Sequence, residues 1–300
     1  MNPRLIKALT DPYFFCLCIL NRVGRLIDAE DFVRWKYYLT CHKKLNLAHP
    51  QTFNEKLQWL KLYDRHESYT KMVDKQEVKA YVASIIGEKH IIPTLKVYHS
   101  FDEINFEELP PRFVLKCTHN SGGVIICKDK TTFDKEAARK LVFRWMKTNP
   151  YWETREYPYK NVKPRIIIEK YMEDESGYEL KDYKFFCFNG KALYVQIDFD
   201  RFNGHKRNIY SREWTPLNFS IEYPSDYNHS FDKPKNFEQM LDIAESLSSS
   251  LCHARIDLYN VNGSIYFGEI TFFHGSGLET FTPETWNQTF GDKIILPEKE

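Results

Sequence analysis

The chain has 300 residues, 42% hydrophobic and 28% charged, and its 42 Lys and Arg against 41 Asp and Glu leave a formal net charge of +1. That length supports one large domain or two smaller ones, and that composition excludes intrinsic disorder and any general attraction to nucleic acid. Seven cysteines, an odd number with no C-x-x-C spacing, exclude a disulfide framework and a zinc ribbon.

Residues 1–70 read as helical. The apolar run Tyr13 to Leu20 is far short of the ~20 residues that span a bilayer. No basic start followed by a small-residue cleavage site marks a secretion signal, so a cytoplasmic location is expected. Arg4, Lys7, Arg22, Arg25, Arg34, Lys36, Lys43 and Lys44 lie among apolar residues between Met1 and Lys44. The interspersed Asp28, Glu30 and Asp31 favour an amphipathic region packed on its own domain. Peripheral contact with the inner face of a membrane is the alternative.

Thr52 followed by Glu55 predicts a capping box that opens a helix through Asn54 to Tyr63. A second helix is predicted over Asp74 to Ile86, stopped by Gly87. The pattern then changes. Arg112 to Cys117 and Val124 to Lys128 read as strands around the polar, glycine-rich turn His119-Asn-Ser-Gly-Gly123. Thr132 to Met146 is predicted helical, and Arg165-Ile-Ile-Ile-Glu169-Lys-Tyr171 reads as a buried strand. Asp182 to Asn189 and Lys191 to Asp200 form a hairpin around Asn189-Gly190. Phe237 to Leu251 carries a helical stripe of Met240, Leu241, Ala244, Leu247 and Leu251. His253 to Asn260 and Ser264 to Thr271 form the last hairpin, around Asn262-Gly263. The class is α+β with antiparallel sheets.

Four features carry chemistry. Asp257 and Glu269 sit among Ile256, Leu258, Phe267 and Ile270 on adjacent strands, where alternation places both carboxylates on one face. Such a pair needs a counter-charge. Magnesium with nucleotide phosphates fits, and so does an internal salt bridge to Arg255 or simple exposure to water. Lys116 at a strand end precedes Ser121, Gly122 and Gly123, whose backbone N–H groups can approach phosphate; an ordinary β-turn fits as well. Glu169, with Lys170 and Tyr171, can meet an adenine amino group or end an exposed strand. Lys75, Lys184, Arg201, His205 and Arg207 are basic candidates, of which Lys184 lies in an apolar strand and needs a partner.

The stretches Phe53-Asn-Glu-Lys-Leu-Gln-Trp59, Asp74-Lys75, Phe113-Val-Leu-Lys116-Cys117, Ser121-Gly-Gly123, Asp182-Tyr-Lys184, Asn189-Gly-Lys191 and Arg255-Ile-Asp257 together resemble the TupA-like ATP-grasp family. The resemblance runs from about Phe53 to Gly277. It implies an ATP-grasp fold in which two α+β subdomains with antiparallel sheets clasp ATP, preceded by a helical N-terminal region. On that frame residues 1–70 are the helical region, 71–172 the small subdomain and 173–300 the large one. Lys75 and Lys116 would contact phosphates and Glu169 and Tyr171 adenine, with Lys184 near the nucleotide. Asp257 and Glu269 would bind Mg2+, with Thr271 at a position where ATP-grasp enzymes usually carry Asn. Arg255 would steady the transferred phosphoryl group.

The family's setting in bacterial surface-polysaccharide biosynthesis implies a carboxylate–amine ligase that uses ATP and Mg2+. A sugar acid or polysaccharide precursor would be the acceptor and an amine the donor. Arg201, His205 and Arg207 are expected to face the acceptor carboxylate, or to form an ordinary basic loop. A kinase on the same fold, a glycosyltransferase using Asp198-Phe-Asp200, and a non-catalytic scaffold are the competing readings.

Overall fold

The computed structural model describes residues 3–174, 180–200, 204–226 and 228–299. The helical region comprises α1 (Pro3–Thr10), α2 (Pro12–Val23), α3 (Ala29–Cys41), α4 (Phe53–Tyr63), α5 (Ser68–Val73) and α6 (Glu77–Ile86). Then come β1 (Thr94–Tyr98), β2 (Phe113–Cys117), β3 (Val124–Cys127), α7 (Lys135–Met146), α8 (Tyr151–Thr154) and β4 (Ile166–Lys170). The remainder holds β5 (Asp182–Phe188), β6 (Lys191–Phe199), β7 (Lys206–Ser211), β8 (Ser220–Ile221), α9 (Phe237–Ser248), β9 (His253–Val261), β10 (Ser264–Thr271), β11 (Phe281–Thr282) and α10 (Thr285–Gly291).

Among the described residues the strands form an antiparallel four-stranded sheet, ordered β1-β4-β2-β3, and an antiparallel five-stranded sheet, ordered β10-β9-β5-β6-β7. A short β8–β11 ladder stands apart. Both Asn-Gly hairpins form, with Asn189 and Asn262 at φ 49° and 51° and the glycines after them also positive, as a tight two-residue turn demands.

The capping box is complete: Thr52 Oγ1 accepts from Glu55 N and the Glu55 carboxylate accepts from Thr52 N. The helix it opens is the keystone of the large core. Phe53, fully buried, makes ring contacts with Phe186, Phe188, Phe281, Phe290 and His253. From the same helix Gln58 Nε2 donates to Ser276 O and Gly277 O, and Lys61 Nζ to Ser276 O at 2.7 Å. These bonds hold a loop whose Gly275, Ser276 and Gly277 all have positive φ. A side chain at Gly277 would meet Gln58 Nε2 at 2.6 Å.

Several elements differ from expectation. The helix predicted from Asp74 begins at Glu77, because Asp74 is extended and its Oδ1 accepts from Gln76 N and Glu77 N. β1 and β7 are strands at sheet edges that the sequence does not announce. β1 has only half-buried or exposed side chains, and β7 starts with Lys206 and Arg207, whose charges are met by Asp226 and by Asp198 on the neighbouring strand. Phe53→Ala should cost about 3–5 kcal/mol, read as a lower urea midpoint, and a loss under about 1 kcal/mol would show that α4 does not anchor the core.

Candidate functional site

A cavity of about 410 Å3 lies between the two sheets. One wall, from the four-stranded sheet, carries Lys116, Glu169 and Lys170, and the other, from the five-stranded sheet, carries Asp182, Asp257 and Glu269. Lys75, Gly122, Lys128 and Tyr171 complete the polar lining, while Ile92, Val114, Val124, Ile126, Met172, Leu180 and Tyr259 add apolar and aromatic surface.

The lysine wall is built by pairing around one carboxylate. Val114 lies opposite Glu169 in the β2–β4 ladder. Lys116 Nζ reaches Glu169 Oε2 at 2.5 Å, and Lys79 from α6 pairs with Glu169 Oε1. Burial opposes the charge on Glu169, yet Lys116 and Lys79 hold its carboxyl below the usual range. Lys79 was not singled out from the sequence; its spacing on an ordinary helix gives no sign of a partner 90 residues away. Lys75 follows the Asp74 turn, which Arg165 clamps at 2.6 Å through Asp74 Oδ2. Lys75 Nζ donates to Asn120 O in the glycine-rich turn at 2.7 Å and lies 3.6 Å from Glu269 Oε1. Lys75 therefore touches both the turn and the opposite wall. Of that turn only Gly122, at φ 87°, lines the cavity; Ser121 is exposed and Gly123 is buried against the Asn120 amide, where any side chain would collide.

The carboxylate wall depends on a bulge. Asp257 and Glu269 are direct cross-strand partners, with an irregularity between Phe267 and Glu269. Strict alternation would put Glu269 on the same side as Phe267, in the core. The extra residue, Gly268, reverses that, so Phe267 and Ile270 both stay buried while Glu269 faces the cavity. A side chain on Gly268 would sit 2.9 Å from Asp257 O.

Asp257 is buried and both its oxygens are engaged by Arg255, Nε to Oδ1 and Nη2 to Oδ2, each at 2.7 Å. The internal salt bridge considered from the sequence is thus present, alongside the shared face. Burial pushes the Asp257 carboxyl up to about 6, against the pull of Arg255; Asp182 adds to the rise. Arg255 in turn donates to Thr271 Oγ1 at 3.1 Å and to His274 Nδ1 at 2.6 Å. That contact makes Nδ1 the unprotonated nitrogen, leaving the proton on Nε2, which lies 2.8 Å from Glu279 Oε2. Burial lowers His274, in keeping with a neutral ring. Burial also opposes the charge of Glu279, but His274 and Arg207 hold its carboxyl down at about 2. Arg207 Nη1 meets Glu279 Oε2 at 3.1 Å and its Nε meets Asp198 Oδ1 at 2.7 Å. Lys184 pairs with Asp182 and lies 3.2 Å from Asp198 Oδ2.

Several expectations shift in consequence. Lys184 and Arg255 are not on the cavity lining although they share the sheet face of Asp257, Lys184 as its partner in the β5–β9 ladder, and each is engaged in ion pairs. Thr271 is off the lining with its hydroxyl on Arg255. Arg207 is buried between Asp198 and Glu279, so it is no free cation for an acceptor. His205 lies against the Tyr223 ring, with Nε2 3.3 Å from Asp198 Oδ1. Arg201 falls outside the described residues. Asp198 is locked by Arg207 and Lys184 inside a sheet, which removes it from a loop metal motif of the nucleotide-sugar kind. Asp182, His274 and Glu279 are not singled out as site residues from the sequence: no motif marks the local Lys184–Asp182 and His274–Glu279 contacts, and the links of His274 to Arg255 and of Glu279 to Arg207 are long-range.

Among the described residues no three His, Cys, Asp or Glu side chains converge as a ready metal cage. A magnesium ion that arrives with a nucleotide needs only one or two carboxylates, since phosphates and water supply the other oxygens. Asp257 and Glu269, paired on one face of a cavity with lysines opposite, fit that requirement. Two antiparallel sheets clasping a cleft of this kind define an ATP-grasp protein. A family model described as TupA-like ATPgrasp matches residues 55–295, and the chain belongs to that family.

Among solved structures it is similar to D-alanine–D-alanine ligase from Bacillus anthracis complexed with ATP (16% identity, TM-score 0.39, covering 67% of this chain and 53% of that one). It is also similar to N5-carboxyaminoimidazole synthetase from Staphylococcus aureus (13%, 0.37, covering 67% and 44%) and to the ADP complex of purK, N5-carboxyaminoimidazole ribonucleotide synthetase (15%, 0.43, covering 73% and 50%). The chain thus spans about half the length of these proteins. No curated protein matches it.

The Glu279 carboxyl falls from an ordinary 4.5 to about 2, so its contribution to stability is complete above pH 4.5 and disappears as pH falls toward 2. Glu279→Gln should therefore lower stability at pH 7 and flatten the acid limb of the stability curve. An unchanged acid limb, followed by urea unfolding at a series of pH values, would place the acid sensitivity elsewhere.

Proposed function

We propose that this chain is an ATP- and Mg2+-dependent carboxylate–amine ligase of bacterial surface-polysaccharide biosynthesis, joining an amine to a sugar acid or polysaccharide precursor. One observation carries the reading: Asp257 and Glu269 face Lys75 and Lys116 across a single cavity of the size small-molecule ligands occupy. Family membership supports the nucleotide; the polysaccharide setting and the amide product rest on the family resemblance.

In the reaction a carboxylate oxygen of the acceptor attacks the γ-phosphorus of ATP. The bond from that phosphorus to the β,γ-bridging oxygen breaks, and ADP leaves. The acyl phosphate is then attacked at its carbonyl carbon by the amine, phosphate departs with the bonding pair, and the nitrogen loses a proton. A bound magnesium ion would neutralise phosphate charge from the Asp257 and Glu269 side. The chain's own part is positioning and charge. Lys75, already on the glycine-rich turn and beside Glu269, offers its ammonium to phosphate oxygens. Lys116 does so from the opposite sheet, braced by Glu169. Arg255 acts through Asp257, holding both carboxylate oxygens in one orientation. Met172, Leu180 and Tyr171 give the adenine end a partly apolar lining.

The test incubates the full chain with ATP, Mg2+ and pools of amino acids and sugar acids while ADP and free phosphate are measured. An amide with stoichiometric free phosphate is expected, whereas a stable phosphorylated sugar would make the enzyme a kinase. Asp257→Asn and Glu269→Gln should each lower ADP release at least about hundredfold without loss of fold by circular dichroism. Full activity in both variants contradicts the metal assignment.

A further inference from the structure

Helix α2 carries an apolar stripe that nothing among the described residues covers. Phe15, Ile19, Val23 and Leu26 recur at the spacing of one helical face, continuing into the turn Gly24–Leu26. They are 50%, 47%, 39% and 89% exposed. In α1, Ile6 and Leu9 are exposed as well. The opposite side of α2 is the packed one: Leu20 is buried, Gly24 lies against the Phe32 ring, and Arg155 ties down Gly24 O and Ile27 O. The inner side of α2 is thus packed on the domain, and its outer side is left exposed.

Charge identifies what the outer side meets. Residues 1–27 hold Arg4, Lys7, Arg22 and Arg25 against one acidic residue, Asp11. Asp11 is spent as the N-cap of α2, accepting from Phe14 N at 3.0 Å. Helical geometry puts Arg22 at the edge of the stripe, and Arg25 follows on the same side. Their long side chains can lie along apolar surface and keep the charge at its rim. Of the acids that weigh against a membrane, Asp28 caps α3 and Glu30 is held by Arg34 and Tyr63, while Asp31 is exposed on α3 and not on α1 or α2. Where α2 meets α3, Tyr13, Tyr38 and Trp35 form a part-exposed aromatic cluster, the side chains that settle at headgroup depth. Among the described residues no helix is long and apolar enough to cross a membrane.

We propose that the outer face of α1 and α2 docks on an anionic lipid bilayer, with the Phe15–Ile19–Val23–Leu26 stripe at the headgroup boundary and Arg22 and Arg25 on lipid phosphates. A narrow apolar stripe edged by cations, with no acid among residues 12–27, is the pattern of an interfacial helix. A second copy of the chain would bring the same cations together at the interface. The contact lies on the helical region rather than on the cavity, so it stands or falls separately from the catalytic reading.

The test sediments the full chain with vesicles of phosphatidylcholine and phosphatidylglycerol in two-to-one proportion, and with pure phosphatidylcholine vesicles. Partitioning onto the anionic vesicles is expected, at least about tenfold above the neutral ones, and weaker at high salt. Phe15→Ser with Ile19→Ser should cut that partitioning at least about tenfold, and Arg22→Gln with Arg25→Gln should remove the preference for anionic lipid. Both pairs are at the surface, so melting temperatures should match the native chain. Absence of the native chain from the anionic pellet overturns the proposal, as does partitioning that ignores both pairs. A dimer by light scattering that Phe15→Ser with Ile19→Ser dissolves, without vesicle binding, assigns the stripe to a second copy instead.

Discussion

A carboxylate buried against a sheet core must be matched by a fixed cation, and the grip of Arg255 on Asp257 meets that demand at the centre of this structure. Both oxygens of Asp257 are held in plane by the guanidinium. Arg255 is itself fixed by Thr271 and by the neutral His274 ring, which stands beside Glu279, and Glu279 beside Arg207. Removing one member would strand the charge of the next in a poorly solvated place. A side chain that meets a metal-bound nucleotide from such a lattice is already oriented when the ligand arrives, which is the basis of electrostatic preorganisation.

The helical region contributes to this arrangement although it lies outside both large sheets. Phe53 fixes α4 in the aromatic core, and Gln58 and Lys61 then grip the carbonyls of the left-handed loop at Ser276 and Gly277. His274 begins that loop. A mechanical path therefore runs from the capping box at Thr52, through α4 and the loop, to the orientation of Asp257. Across the cavity, Glu169 organises Lys79 and Lys116, and Lys75 bridges the glycine-rich turn and Glu269.

Local signals in the sequence made much of the fold legible. The Asn-Gly turns, the capping box and the stripe in α9 report backbone preferences that act within a few residues, and the structure contains all three. The partnership of Asp257 with Glu269 was also legible, because a hairpin pairs residues close in sequence. The Gly268 bulge that turns Glu269 to the cavity was not, since alternation alone cannot show where a strand slips by one residue. Lys184 reads as a ligand because a cation in an apolar strand invites a partner, and Arg207 because it sits in a polar, basic segment after a strand. Asp182 sits two residues away on the same strand as Lys184, but Asp198 and Glu279 come from a neighbouring strand and a loop, and only the folded sheet brings them to Lys184 and Arg207. β7 stayed hidden for the same reason: its charges read as a loop until their counter-ions are known.

Crystals grown with a non-hydrolysable ATP analogue and Mn2+ in place of Mg2+ would test the central claim most directly, through the anomalous signal of the metal. The account predicts a manganese peak within bonding reach of Asp257 and Glu269, the triphosphate running from it toward Lys75 and Lys116, and Arg255 still on Asp257. Manganese bound elsewhere, or a nucleotide seated with its phosphates away from both carboxylates, would contradict it.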